Sequence, residues 1–366
     1  MGYEIDFLAV GEKKSGDAIC VRWGNLHGPR DEQKVVVIDA GYADTGKQIV
    51  DHIEEYYKTK TIDLLISTHP DADHVGGLAT VLENAEVKEF WIHQPWEHNQ
   101  NLADEFADGR ITDASIARRI QENLQKAYDA VKIARKKNIE VKEPFQGMTW
   151  DGATLVVIGP TTSYYETLIP DFARMPEKNA LQAGIESLSG SVENFVEKAK
   201  SFINEYVADW FSDEGIDDKD TTSAQNNSSV IFKLEIDEKL FLFTGDAGIT
   251  ALSYASEHVN KESLSLAFIQ VPHHGSKRNI GPTILNTLIG DIVSKGEKRQ
   301  ISAYISCAPG SSKHPHQAVI NAFTRRGATV VTTEGSGKCH SNDAPAREKW
   351  SSITPREYME TYTIEE

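Results

Sequence analysis

The stretch Ser67-Thr68-His69-Pro70-Asp71-Ala72-Asp73-His74-Val75-Gly76-Gly77 sets two imidazoles and two carboxylates within six positions, directly after the apolar run Ile62-Asp63-Leu64-Leu65-Ile66. Imidazole and carboxylate together suit zinc, manganese or iron, and the cluster has no thiolate of the kind that closes a structural zinc site. Along an extended loop, His69 and Asp71 can face one ion while Asp73 and His74 reach round to a second. Three other places offer matching chemistry: Asp246 after Thr244-Gly245, His273-His274 in "VPHHGS", and His314 and His316 in "KHPHQA". A carboxylate at Asp246, leaving a buried strand at a glycine, could bridge two ions about 3.5–4 Å apart and so make a metal-bound hydroxide available at neutral pH. Lys277 and Arg278, just after "HHGS", are the cations placed to receive a phosphate; solvated loop charges are the other reading.

These groups need elements to carry them. Short β-branched or apolar segments bounded by Gly, Pro or Asp predict strands at 5–10, 18–23, 34–39, 62–67, 87–93, 153–158, 229–235, 239–246, 266–271, 301–307 and 328–333. The ligand-type clusters lie at the ends of several of these strands, which is where open sheets gather ligands. Helical spacing appears in Ile49, Val50, Ile53 and Tyr57, in Leu78, Val81 and Leu82, and over 318–325. Ile116, Ile120, Leu124, Ala127, Val131 and Ala134 predict one long helix over 112–137, capped by Thr112 or Asp113.

Residues 163–222 hold 13 acidic and 5 basic residues, a net of -8. An apolar stripe from Val192 through Phe195, Phe202, Tyr206 and Val207 to Trp210 predicts an amphipathic helix, followed by the acidic turn "SDEGIDDKD". Because strand chemistry resumes without a linker, this segment reads as an inserted helical cap. The chain is then a single domain over 1–366 with helical insertions at about 100–138 and 163–222.

At 366 residues and 39% hydrophobic content the chain can bury a sizeable core. Its formal net charge of -17 repels polyanions, which excludes a passive nucleic-acid coat but leaves room for a local cation or metal to hold a phosphodiester. No apolar run approaches the ~20 residues of a membrane span. The N-terminus lacks a basic flank and apolar signal core, so a cytoplasmic protein without a membrane partner is expected. Cys20, Cys307 and Cys339 are far apart and form no C-x-x-C pair, which predicts buried free thiols, with Cys339-His340 as the lesser alternative of a metal pair.

"STHPDADHVGGL" resembles the metal motif of the metallo-β-lactamase fold superfamily. With "FLAVGEKKSGDAICVRWG…VVVIDAG", "NNSSVIFKLE…LFLFTGDAG", "VPHHGS" and "KHPHQAVINAFTRRGATVVTTEGSGK", in that order over about residues 5–340, the chain is most similar to the hydrolase domain of ComEC-type competence proteins. The resemblance implies a four-layer αβ/βα sandwich with metals at one edge of two sheets. It implies His69 and Asp71 on a first metal, Asp73 and His74 on a second, Asp246 between them, and His273 as the final metal histidine. His274 would then act as a proton donor or support a ligand, and His314 and His316 would contact substrate or protonate the leaving group.

Two departures follow. Asp71 stands where the superfamily usually has histidine, and the region of the other first-site histidine reads Gln225-Asn226-Asn227-Ser228. An amide replaces imidazole poorly, so the first site would be weak, filled only with substrate, or selective for a harder ion such as manganese. Asn226 and Asn227 become candidate substrate contacts. His93 and His98 could supply the missing ligand, or else be exposed polar residues near Trp91 and Trp96. Asp39 in "VIDAG" reads as a carboxylate that orients a metal histidine, and Asp17 as the same or a turn residue.

The expected activity is a metal-dependent hydrolase with one or two zinc or manganese ions per chain, most similar to a phosphodiesterase or nuclease. A nucleotide or single-stranded nucleic acid would be its substrate. Against a long polyanion stands the net charge, since such binding needs many Lys or Arg contacts. The alternatives are hydrolysis of a small ester, lactone or thioester, and a metal-stabilised interaction module that docks a protein partner through the acidic insertion.

Overall fold

The computed structural model describes residues 1–178, 205–207, 210–211, 214–259, 265–348 and 350–363. The strands that build the two main sheets are β1 Gly2–Phe7, β2 Ile19–Gly24, β3 Gln33–Ile38, β4 Leu64–Ile66, β5 Glu89–Trp91, β6 Glu140–Lys142, β7 Thr149–Trp150, β8 Leu155–Gly159, β9 Ile231–Ile236, β10 Lys239–Phe243, β11 Ser265–Gln270, β12 Ser302–Ile305, β13 Thr329–Thr332 and β14 Lys338–Asn342. The helices are α1 Thr45–Tyr56, α2 Ala72–Val75, α3 Leu78–Asn84, α4 Asp113–Asn123, α5 Gln125–Lys136, α6 Thr162–Leu168, α7 Ala224–Asn227, α8 Ile249–Ser256, α9 Pro282–Leu288 and α10 Gln317–Arg325.

The first sheet runs β14-β1-β2-β3-β4-β5-β6 and the second β13-β12-β11-β10-β9-β8-β7. Each is antiparallel in one half and parallel in the other: β3 to β6 are parallel neighbours in the first, and β10 to β13 in the second. Strand alternation explains the layering, because successive side chains point to opposite faces. Val36, Ile38, Leu64 and Ile66 pack with Phe241, Phe243, Phe268 and Tyr304 between the sheets. Their neighbours Val35, Val37 and Leu65 turn outward onto Ile49, Ile53, Leu78 and Val81 of α1 and α3. On the far side Leu242, Ile269 and Ala303 meet Leu252, Ile284 and Phe323 of α8, α9 and α10. Helices, sheet, sheet, helices give the four layers expected from the sequence.

Several local readings change. The helix over 112–137 is two helices broken at Leu124, although Thr112 does cap the first, in a reciprocal box with Ser115. The strand at 87–93 shortens to Glu89–Trp91. Most of the stripe from Val192 to Trp210 lies outside the described residues. Within it, Glu205–Val207 is not helical but a strand paired antiparallel with Thr361–Thr363. The acidic turn is not merely solvated: Asp220 accepts the Thr250 N–H at the start of α8, and Asp218 accepts the Thr283 N–H and hydroxyl at the start of α9. Carboxylates at helix starts satisfy donors that have no partner within the helix.

Candidate metal centre

The loops that carry the ligand-type residues leave the C-terminal ends of parallel strands. Asp39 follows β3 with φ of 56°, and its carboxylate is a hub. One oxygen accepts the Thr68 N–H at 2.7 Å, and the other accepts the Thr68 hydroxyl at 2.6 Å and His74 Nδ1 at 2.7 Å. The exit of β4 is thereby locked to α2, the single turn that presents Asp73 and His74. On the second sheet, the buried Gln270 at the end of β11 accepts the N–H groups of Thr244 and Gly245, and donates to Asp17 at 2.8 Å. Gly245 turns there with φ of 51°, and a Cβ would lie about 3.0 Å from Thr68 and 3.1 Å from Ser229, so the turn that delivers Asp246 needs glycine.

Four imidazoles are held the same way round. The Thr68 hydroxyl spends its proton on Asp39, so toward His69 Nδ1, 3.1 Å away, it can only accept. His74 Nδ1 donates to the Asp39 carboxylate, and His274 Nδ1 donates to the Ser306 carbonyl at 3.1 Å. His273 Nδ1 donates to Asn279 Oδ1 at 2.8 Å, an orientation fixed because the Asn279 amide nitrogen donates to the Asp246 carbonyl. Each ring therefore carries a proton on Nδ1 and turns Nε2 toward the others.

Inside this ring His69 Nε2, His74 Nε2, His274 Nε2 and Asp246 Oδ1 are buried and find no hydrogen-bond partner. His74 Nε2 lies 3.4 Å from Asp246 Oδ1, His69 Nε2 and His273 Nε2 each lie 3.7 Å from Asp246 Oδ2, and His274 Nε2 lies 3.6 Å from Asp73 Oδ2. Such gaps are long for hydrogen bonds, yet two ligands each about 2.1 Å from a tetrahedral zinc stand about 3.4 Å apart. Donor type, tautomer and spacing all fit a divalent ion. Among the described residues the sets His69/His74/Asp246, Asp73/His74/His274 and Asp17/Asp246/His274 each bring three such atoms together.

The charges respond to one another. Burial disfavours an imidazolium at His274, but Asp246, Asp73 and Asp17 outweigh it and raise the ring to about 9. His74 rises for the same reason, on Asp246 and Asp39, while burial and the His74 charge lower His69. Asp246 is held low despite its burial by His74, His273, His274 and His69. Protons thus balance the carboxylates, and a divalent ion binding here has to displace them.

The expected assignments divide. His274, rather than His273, joins Asp73 and His74, whereas His273 lies beside Asn226 and faces the other oxygen of Asp246. Asp71 stays near His69, at 3.8 Å, and accepts from Gln225 Nε2 through its other oxygen. The Asn227 amide is turned away to the Gly248 N–H and Asp220, where it supports the start of α8. His314 sits with its ring 5.4 Å from His273 and 6.3 Å from His274, and burial, with those two charges, lowers it to about 3. His316 opens α10, its N–H on the Gly275 carbonyl; Lys277 is half-buried and Arg278 exposed.

His93 and His98 do not supply a ligand. His98 is tied to Glu143 and Glu166 through its two nitrogens, and His93 is buried between Phe145 and Tyr165 rather than exposed. Cys20 and Cys307 are buried free thiols, as the sequence suggests; Cys339 is free and half-buried. Neither Cys339 nor His340 joins a three-ligand group among the described residues. Sequence reasoning missed Thr68, Gln270 and Asn279, whose one signal was a polar residue beside a ligand or at the end of an apolar strand.

Residues 30–279, more than half of the chain, match the family model of the metallo-beta-lactamase superfamily. The chain belongs to that superfamily, whose members are metal-dependent hydrolases. Among solved structures it is similar to a metallo-beta-lactamase candidate from Thermotoga maritima, at 11% identity over 67% of this chain and 79% of that one, with a TM-score of 0.33. It is similar to the Rm3 metallo-beta-lactamase, at 11% identity over 78% and 84%, with a TM-score of 0.32. The long form of RNase Z from yeast is similar at 10% identity over 92% of this chain and 38% of that one, with a TM-score of 0.32. No curated protein matches the sequence. No helix among the described residues is long and apolar enough to cross a membrane.

Proposed function

We propose that this protein is a phosphodiester hydrolase that works with two divalent ions, zinc or manganese, on a nucleotide or a short single-stranded nucleic acid. His69, Asp71 and Asp246 hold the first ion, and Asp73, His74, His274 and Asp246 the second. When bound, such ions polarise a phosphoryl oxygen and acidify a water at neutral pH. The chain's own residues do the rest: Asp39, Thr68, Ser306 and Asn279 fix each imidazole with Nε2 inward, and the buried walls keep bulk water from the donors.

The observation that carries the substrate class is the charge of the rim. The loop 11–17 lies against the site, with the Asp17 N–H on the Asp73 carbonyl. It is joined to the loop 308–316 by the Gly310 N–H on the Glu12 carbonyl and the Ala308 N–H on Ser15, and that loop is joined to the histidine pair through His316 and Gly275. These loops and 276–279 carry Lys13, Lys14, Lys277, Arg278 and Lys313, with Glu12 the one exposed carboxylate among them, in a chain of net charge -17. The loop 217–222, also joined to the site through the Thr222 hydroxyl, carries exposed Asp217 and Asp218, so the cations form one basic stretch of the rim. That stretch favours a phosphate over an acyl group and a short substrate over a long duplex.

The test is hydrolysis of a bis-aryl phosphodiester by the metal-loaded protein, with a lactone run in parallel. Asp73→Ala lowers diester turnover about 10²–10³-fold, since removing a group that holds charge at the reacting centre costs on that scale. Turnover of the lactone but not of the diester would overturn the phosphodiester reading.

A further inference from the structure

We infer that the two adjacent histidines of "VPHHGS" serve different ions: His274 completes the site of Asp73 and His74, and His273 completes the site of His69 and Asp71 in place of the imidazole that Asn226 lacks. The inference rests on the two-ion reading above. Its basis is geometric. His273 and His274 both adopt positive φ, 47° and 55°, a conformation that costs L-residues and that here aims neighbouring side chains apart. Their rings stand 5.7 Å apart at 64°, and their Nε2 atoms approach different carboxylates, Asp246 for His273 and Asp73 for His274.

His274 Nε2 is 3.6 Å from Asp73 Oδ2, and its ring stacks 5.6 Å from that of His74. His273 Nε2 instead approaches Asp246 Oδ2, the same oxygen that His69 Nε2 approaches, and both at 3.7 Å. Asp246 thus presents Oδ2 to His69 and His273 and Oδ1 to His74, with the atoms around Oδ2 more widely spaced than those of the His69/His74/Asp246 set.

The surroundings of His273 are those of a ligand. Asn279 accepts from its Nδ1, and the same amide donates to the Asp246 backbone carbonyl at 2.7 Å and to the Thr222 hydroxyl at 3.1 Å, so one side chain ties the ring to the backbone that carries the Asp246 carboxylate. A ligand imidazole is commonly oriented by just such a partner on its other nitrogen. Asn226 Nδ2 lies 3.2 Å from His273 Nδ1, which puts the ring next to the position where the sequence offers an amide. The ring is also 27% exposed, open enough to admit an ion from solvent.

Metal content tests this directly. The chain is stripped with a chelator, titrated with Co²⁺ or Zn²⁺, and ions per chain are counted by elemental analysis after gel filtration. His273→Gly and His274→Gly are used because glycine accepts positive φ, and circular dichroism of each metal-free variant reports folding. Two ions in the wild type and one in each variant is the expected result. His273→Cys should restore the second ion and give the Co²⁺-loaded chain a thiolate-to-cobalt charge-transfer band, which requires residue 273 to touch the ion. If the wild type holds two ions, His273→Gly keeps both at unchanged affinity and His273→Cys shows no band, the inference fails while the metal reading stands. A wild type with one ion that survives His273→Gly also overturns it. A wild type that binds none overturns the two-ion reading itself.

Discussion

Two of the buried polar clusters among the described residues are built on opposite terms. At the first sheet's β1–β2–β14 region, Asp6 and Glu4 are buried carboxylates whose four oxygens are all partnered: Arg347 spans Asp6 and reaches Glu4, Arg22 pairs the other Glu4 oxygen, and the Tyr57 hydroxyl donates to Asp6. Arg347 also lies over the Tyr56 and Trp350 rings, at 4.7 and 4.8 Å. Around Asp246 the donors are equally buried, yet three imidazole nitrogens and a carboxylate oxygen end on one another at distances too long for hydrogen bonds. Burying polar groups without partners is costly, so a protein keeps such a set where a ligand completes it. Burial and charge alone do not separate the two clusters. In the first every carboxylate oxygen is paired, with His52 Nε2, 3.2 Å from Asp6, left without a hydrogen bond there, whereas around Asp246 several facing donors are left so together.

The comparison breaks most sharply at Arg347. Arg347→Ala leaves two carboxylates buried without their main cation, so stability to urea should fall by about 3–5 kcal/mol while metal content stays that of the wild type. Loss of metal with unchanged stability would show that the two clusters are not separate. At the other cluster the expected effect is on binding. Asp39→Asn presents an amide N–H to the Thr68 hydroxyl and His74 Nδ1 where a carboxylate oxygen now accepts both, and a chelator competition should find metal held about 10–100-fold more weakly. Folding should change little by comparison.

The smallest effect belongs to a half-open cluster that lies between these extremes in kind. Hydrogen bonding to Glu143, against burial and with help from Glu166, raises His98 to about 9. A raised histidine stabilises the fold in full below its ordinary pKa of about 6.5, and that contribution is lost as pH rises through about 9. His98→Gln should therefore lower the melting temperature at pH 6, by the equivalent of about 1 kcal/mol, with the difference gone at pH 10. A difference that persisted at pH 10 would mean that shape, not charge, holds this corner.

Most of the strands were legible because short continuous apolar runs such as 35–38 and 240–243 suit strands buried on both faces, and both sheets are built around such segments. The ligand types at 69–74, 246 and 273–274 were legible because few other roles place those side chains just past a strand. Leu124 was not recognised as a break because its apolar stripe continues through both helices, and periodicity is blind to one residue's backbone. Tyr206 and Val207 suit a strand and a helix face equally, and only pairing with Thr361–Thr363 chooses between them. His93 and His98 passed as candidate ligands because residue type and position after a strand say nothing about which way a ring turns.

The sequence by itself determined the class of chemistry, since imidazole and carboxylate are the side chains that bind such divalent ions, and it located most strands through their short apolar runs, while the four layers were implied by the family resemblance. Only the tertiary structure decided which histidine faces which carboxylate. That choice depends on which Nδ1 proton Asp39, Thr68, Ser306 or Asn279 receives and on two consecutive positive φ angles at 273 and 274, contacts between residues up to 35 positions apart that no periodicity of a strand or helix encodes.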